Sequence, residues 1–303
     1  MITGATGFLG RNLTNYLKDF DNELVLIDRP PYLFDQRVTE NWWHGLKILH
    51  YDFKEDAHHI EQYVENIDTV FHLANRARIP PSWEEYQDYY ETNITATHKF
   101  FEICQRKGVK RFIYISSSSV YGNNGSNTQC ESDPLMPTNP YAVSKLAAEW
   151  ALKVQAVKGD TELIIVRPFT MYGKFMDYGK QALVLGQFLN SLETDKPLVL
   201  HGGGDQRRDF LHVDDAVVGL KLIMDYGRKN ETYNLGSGTS VSIKQLADIV
   251  SSKQIVSDDR WGPVSITEAN IDKLKALGFM PQQDVVKWLT KQVEEIKLKL
   301  TKK

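Results

Sequence analysis

The chain of 303 residues carries 36 Lys and Arg against 39 Asp and Glu, a net charge of −3, so neither nucleic acid nor an anionic membrane is its expected partner. A hydrophobic share of 42% and a charged share of 25% describe a globular chain that buries a large core without disulfide or metal staples. No apolar run of membrane-spanning length and no signal-peptide core occurs, and Cys104 and Cys130 lie at no metal-ligand spacing, so a reducing, cytoplasmic location is expected.

Residues 2–10 read Ile-Thr-Gly-Ala-Thr-Gly-Phe-Leu-Gly. A short strand running into such a turn, with a helix predicted over 8–18, presents free backbone N–H groups to a pyrophosphate. Gly4 allows the tight turn, Gly7 the close approach of phosphate, and Gly10 the close packing of helix on strand. A glycine triplet alone also describes an ordinary turn; its setting at the start of a βαβ pattern is what favours a dinucleotide. The next strand, 24–28, ends on Asp28, 18 residues after Gly10. A carboxylate there accepts hydrogen bonds from ribose hydroxyls and repels a 2′-phosphate, so NAD is expected although Arg29 follows.

Further strands are predicted over 47–51, 68–74, 110–116 and 162–167, with helices over 57–65, 89–107 and 140–158. Val70-Phe71-His72-Leu73 and Phe112-Ile113-Tyr114-Ile115 are apolar nearly throughout, as strands covered on both faces are. The alternation predicts an α/β fold with a doubly wound parallel sheet, a Rossmann domain over 1–168. The strand at 110–116 leads into Ser116-Ser117-Ser118-Ser119-Val120-Tyr121-Gly122, and Pro140-Tyr141-Ala142-Val143-Ser144-Lys145 follows where the next helix begins. Tyr141 and Lys145 stand four apart and share a helix face. On its own that spacing also describes a surface pair. After a glycine turn and a serine-rich strand end it points to a site. A tyrosine base near neutral pH needs its pKa lowered by about 3 units, roughly 4 kcal/mol of phenolate stabilisation. A Lys145 ammonium, a nicotinamide cation and a serine hydrogen bond are the expected sources.

After Pro168 the regular alternation ends. A smaller second domain is expected over 169–303, with a segment near 205–238 returning to the first. A last amphipathic helix carries Val285, Leu289, Val293, Ile296 and Leu300 on one face. The pair His58-His59 reads as helix surface, no metal site is expected, and neither a serine-hydrolase elbow nor a Gly-Lys-Ser/Thr phosphate loop occurs.

These residues together resemble the extended short-chain dehydrogenase/reductases of the NAD-dependent epimerase/dehydratase group. The resemblance runs from Ile2 to about Trp288. It rests on the glycine turn, Phe71-His72-Leu73-Ala74, Asn93-Ile94, Ser-Ser-Val-Tyr-Gly, Tyr141-x-x-x-Lys145, Arg167-Pro168, Arg208-Asp209-Phe210 and Tyr233-Asn234-Leu235-Gly236. It implies Ser117, Tyr141 and Lys145 as the catalytic set. It also implies NAD contacts from Gly4, Gly7, Phe8, Leu9, Gly10, Asp28, Asp52, Phe53, Leu73, Ala74, Asn93, Tyr141 and Lys145. The implied substrate is a nucleoside-diphosphate sugar held by Ser117, Ser118, Thr170, Arg208 and Arg260 in a C-terminal nucleotide-sugar-binding domain. The implied assembly is a homodimer, with Phe100, Phe101, Trp150 and Leu152 as candidate seam residues. Thr170 departs from the family's usual asparagine, and Asn75 and Arg76 from its usual small residues. In related 4,6-dehydratases the two residues before Val-Tyr-Gly are Asp and Glu; here they are Ser118 and Ser119. A 4-epimerase acting on a UDP-sugar of the glucose/galactose type, through a transient 4-keto sugar, is therefore expected, with a reductase or dehydratase of the same family as the alternative.

Overall fold

The computed structural model describes residues 1–29, 46–55, 57–125, 127–178, 182–257 and 266–301. In chain order the first half forms β1 (Ile2–Thr3), α1 (Phe8–Leu17), β2 (Leu26–Asp28), β3 (Ile48–His50), α2 (Ala57–Ile60), β4 (Thr69–His72), α3 (Ile79–Ser82), α4 (Tyr86–Tyr90), α5 (Thr97–Arg106), β5 (Arg111–Ile115), α6 (Pro140–Ala156) and β6 (Glu162–Pro168). The second half adds β7 (Thr170–Tyr172), α7 (Val184–Glu193), β8 (Leu198–His201), β9 (Arg207–His212), α8 (Val213–Tyr226), β10 (Thr232–Leu235), β11 (Ser240–Ser242), α9 (Ile243–Val250), β12 (Gln254–Ser257), β13 (Ile266–Thr267), α10 (Asp272–Lys275) and α11 (Val285–Leu300).

Seven strands pair in the order β10-β6-β5-β4-β1-β2-β3, every neighbour parallel. Successive side chains on a strand face opposite ways, and both faces here are apolar. Ile113 and Ile115 enter one core with Leu9, Leu13 and Leu17 of α1 and Val217, Leu220 and Ile223 of α8. Phe112 and Tyr114 enter the other with Phe100 and Phe101 of α5 and Ala148 and Leu152 of α6. That alternation is why one sheet holds helices on both sides. The strand order reverses between β1 and β4, and the crevice at such a switch point is where open α/β sheets bind ligands.

Beyond β6, β9 pairs with β7, β11 and β13, while β8 and β12 form a separate parallel pair. A third core gathers Tyr172, Phe188, Leu200, Phe210 and Leu246 with Val285, Leu289, Val293 and Ile296 of α11. Leu300, the last residue of the predicted apolar face, is 43% exposed.

The continuous helix predicted over 89–107 is instead α4, a π-helical stretch at Glu91–Ala96, and α5. The widened turn turns Asn93 inward, with no exposure at all. Its Oδ1 accepts from the Arg76 N–H at 2.8 Å, and its Nδ2 donates to the Arg76 carbonyl at 3.0 Å and to Ser144 Oγ at 2.8 Å. A buried asparagine with those partners overrides uniform helix geometry. The seam residues also need correction. Phe100, Phe101 and Leu152 are at most 1% exposed, because they pack on the sheet, whereas Trp150 is 59% exposed.

Candidate active site

The glycine turn follows β1 at the switch point. Gly4 has φ +65, and a Cβ there would lie 2.8 Å from the Ala74 nitrogen, so the turn sits directly on the end of β4. A Cβ on Gly10 would come within 2.2 Å of the Gly4 carbonyl oxygen, so Gly10 brings α1 against the turn itself more closely than against the strand. Gly7 is exposed and caps α1 with no side-chain hydrogen bond. The first-turn N–H groups have no intrahelical acceptor. Phe8 is half-buried and Leu9 buried in the core, so what this segment turns outward is backbone. Such a turn suits a pyrophosphate.

Asp28 is committed to the same turn. Its Oδ2 accepts from the Thr6 N–H at 2.8 Å and from Thr6 Oγ1 at 2.6 Å, while Oδ1 accepts from the Arg29 N–H. Thr6, which the sequence reading missed, thereby ties the end of β2 to the loop. Asp52 accepts from the Lys54 N–H at 2.9 Å. The Phe53 ring is buried edge-on to His72 and Phe100. The N–H groups of Leu73 and Ala74 both reach Thr3 Oγ1 at 3.2 Å. His72 bridges Thr3 Oγ1 at 2.9 Å and Thr97 Oγ1 at 3.0 Å, and burial holds its pKa down to about 3.

Tyr141 and Lys145 lie on the first turns of α6, which starts where the Asn139 side chain accepts from the Ala142 N–H at 2.9 Å and Pro140 fills the first helical position. α6 packs on the serine turn, so that Ser117 stands by the Tyr141 hydroxyl, and the Tyr89 ring stands edge-on to the Tyr141 ring at 6.4 Å. Ser117 caps a 3-10 turn over Ser118–Tyr121, its Oγ accepting from the Ser119 N–H at 3.1 Å. Ser118 is half-buried on that turn. Burial raises the Tyr141 pKa, opposed by the Ser117 hydrogen bond and the positive charge of Arg78. Lys145 is only 2% exposed; its Nζ donates to the Ile115 carbonyl and lies 4.7 Å above the Tyr114 ring. Burial brings its pKa down to about 7, with Glu149 acting the other way. The protein alone therefore does not lower the tyrosine as the spacing predicted; its ammonium is turned to a backbone carbonyl.

Two carboxylates have supporting roles that the sequence reading did not assign. Glu149, fully buried on α6, accepts from Arg167 Nε at 3.0 Å and Nη2 at 2.7 Å and from the Ser116 hydroxyl at 2.5 Å. Its position one helical turn beyond Lys145, on the face of Tyr141, was the available signal. Asp209 accepts from the N–H groups of Ser237, Gly238 and Ala269 and from the Ser237 hydroxyl. Of the predicted sugar-nucleotide residues, Thr170 lies on β7 opposite Phe210, and Arg208 lies on β9, half-buried between Val241 and Thr267. Arg207 beside it, readable as a solvated surface charge, is bonded to Ser240. Arg260 lies outside the described residues. Among the described residues no cluster of three His, Cys, Asp or Glu is arranged to hold a metal, and no helix is long and apolar enough to cross a membrane.

A sequence model of the NAD dependent epimerase/dehydratase family matches residues 1–236. The chain is 31% identical over 266 residues to dTDP-D-glucose 4,6-dehydratase of Dictyostelium discoideum, covering 82% of this chain and 60%, less than two thirds, of that relative. It is 30% identical over 293 residues to a Bacillus subtilis (strain 168) protein described as the uncharacterized UDP-glucose epimerase YtcB, covering 91% of this chain and 90% of the relative. Among solved structures, MoeE5 in complex with UDP-glucose and NAD is similar with a TM-score of 0.86 and 29% identity, covering 99% of this chain and 98% of that one.

Proposed function

Because the chain belongs to the NAD dependent epimerase/dehydratase family, we propose that it is an NAD-dependent nucleotide-sugar epimerase that inverts C4 of a UDP-sugar of the glucose/galactose type. The observation that carries this reading is the Tyr141–Ser117 pair beside a turn whose next two positions, Ser118 and Ser119, are hydroxyls. Tyr141 takes the proton of the C4 hydroxyl, Ser117 holds that hydroxyl by a hydrogen bond, Arg78 supplies positive charge that favours the phenolate, and Lys145 holds the end of β5 beneath the serine turn through the Ile115 carbonyl. Bound NAD supplies the hydride acceptor, the return donor and a further positive charge. Gly4 and Gly7 would cradle its pyrophosphate, with Gly10 bringing α1 close to the turn, and Asp28 would meet its adenosine ribose. The 4-keto sugar then turns within the pocket, so that hydride would return to the opposite face of C4 while Tyr141 gives the proton back to the C4 oxygen.

A dehydratase needs a carboxylic acid and a base at the positions of Ser118 and Ser119, and a serine hydroxyl is far too weak an acid to replace them near neutral pH. Residues 169–303 hold the nucleotide-sugar, with Thr170, Arg208 and Arg260 among its ligands, and the protein works in the cytoplasm as a homodimer. The test offers UDP-, GDP-, CDP- and dTDP-hexoses to the NAD-loaded protein and separates the products. An epimer of unchanged mass is expected, and Tyr141→Phe lowers turnover by at least about 100-fold while cofactor binding survives. A product lighter by one water overturns the epimerase reading in favour of the dehydratase, and near-parental turnover in Tyr141→Phe overturns the mechanism.

A further inference from the structure

An ion pair joins two separate parts of the chain beside Tyr89, whose ring stands against Tyr141. Arg78 follows β4 and Asp177 follows β7, and Arg78 Nη2 lies 3.3 Å from Asp177 Oδ2. Both backbones are held. Tyr89, itself 2% exposed, donates its hydroxyl to the Arg78 carbonyl at 2.5 Å, and the same ring stands against Tyr141. On the other side, a Cβ on Gly186 would lie 2.1 Å from the Asp177 carbonyl oxygen, so α7 packs directly on the Asp177 backbone. Asn12 of α1 reaches the Lys174 carbonyl at 2.9 Å and fixes the segment leading to Asp177. The two side chains, 33% and 37% exposed, are reachable from solvent between these supports. Tyr89, bonded to Arg78 and edge-on to Tyr141, puts the pair one side chain away from the tyrosine and, on the reading above, from the sugar.

A guanidinium fork holds a carboxylate best with two parallel N–H donors, and among the described residues Asp177 meets this fork at Nη2. A second carboxylate brought to the same fork meets the negative charge of Asp177. We propose that the Arg78–Asp177 pair is a charge filter on the sugar ring: Asp177 occupies the place a substrate carboxylate would take, so the pocket accepts neutral hexoses and rejects uronic acids. The inference rests on the nucleotide-sugar reading above. It treats rejection of the wrong ligand as a built feature, by like charge in place of a tighter fit to the right one.

Binding separates the filter from catalysis. Calorimetry on NAD-loaded Tyr141→Phe protein, with UDP-glucose and UDP-glucuronate as probes, reads affinity without turnover. The parent is expected to prefer UDP-glucose. Asp177→Asn should improve UDP-glucuronate binding relative to UDP-glucose by about tenfold, the scale of one partly solvent-screened charge contact. Adding Arg78→Met to Asp177→Asn should abolish that gain. An unmoved ratio in Asp177→Asn, a gain that survives Arg78→Met, or a parent that prefers UDP-glucuronate overturns the filter alone. Binding of neither probe overturns the nucleotide-sugar reading and the filter with it.

Discussion

Burial sets the protonation of the side chains beneath the site. His72 has no charged partner; its ring lies between two threonine hydroxyls, one nitrogen donating and the other accepting. Its pKa falls from the ordinary 6.5 to about 3, because a buried imidazolium would be desolvated and would face Lys145. Between those two pH values the unfolded chain binds a proton that the folded chain does not. The stability His72 contributes is thus present above pH 6.5 and is lost as pH falls toward 3. The full effect is on the order of 5 kcal/mol. Urea unfolding of His72→Asn should show a shallower loss of stability than the parent between about pH 6 and 4; parallel slopes would mean that another group carries the acid sensitivity. The site residues legible in the sequence are those whose function demands a short, fixed spacing: Gly4, Gly7 and Gly10, or Tyr141 and Lys145. Asp209 and Arg78 were not legible, because their partners stand 28 and 99 positions away and only the fold brings them together.

At the scale of elements, α6 is the part on which the site depends. One face carries Tyr141, Lys145 and Glu149, and Ser144 joins Asn93 to the loop after β4. The strands and α1 were readable because two-sided apolar runs and a glycine turn leave few alternatives. The break at Glu91–Ala96 was not, since nothing in its local pattern competes with a helix until Arg76 and Ser144 supply partners for Asn93. Glu149 fastens α6 to β6 through Arg167, whose other arm meets the Tyr121 hydroxyl, itself bonded to Asn234 on β10. Removing one member of a buried pair leaves the other uncompensated. Glu149→Gln should therefore cost about 3–5 kcal/mol in denaturant unfolding. It should also lower the Lys145 pKa further, because Glu149 is the charge that opposes burial there. Recovery of part of the loss in a Glu149→Gln, Arg167→Met double variant would trace the cost to the stranded charge; a loss below about 1 kcal/mol would show that the network contributes little.

For the whole molecule, the unburied apolar surface of α6 has to be explained. The inner face of the helix packs on the sheet, yet Val143 is 38% exposed, Trp150 59%, Val154 70% and Val157 86%. Spacings of seven, four and three residues put these four on one outward stripe. Trp83 and Tyr86, each 53% exposed, stand on the segments that pack beside the same helix. Single exposed apolar side chains are ordinary, but a helical stripe of them is the mark of a surface covered by another chain. A second copy is the natural cover, since a two-fold axis presents one stripe to its own duplicate. The homodimer proposed above therefore uses Val143, Trp150, Val154 and Val157, and leaves Phe100, Phe101 and Leu152 in the core. Light scattering of the parent at micromolar concentration should give the mass of two chains. Trp150→Glu with Val154→Glu should give one, because two like charges would then face their duplicates across the axis. The far-ultraviolet spectrum should be unchanged, as neither side chain belongs to the core. A parent that scatters as one chain, or a double variant that still scatters as two, would place the contact elsewhere.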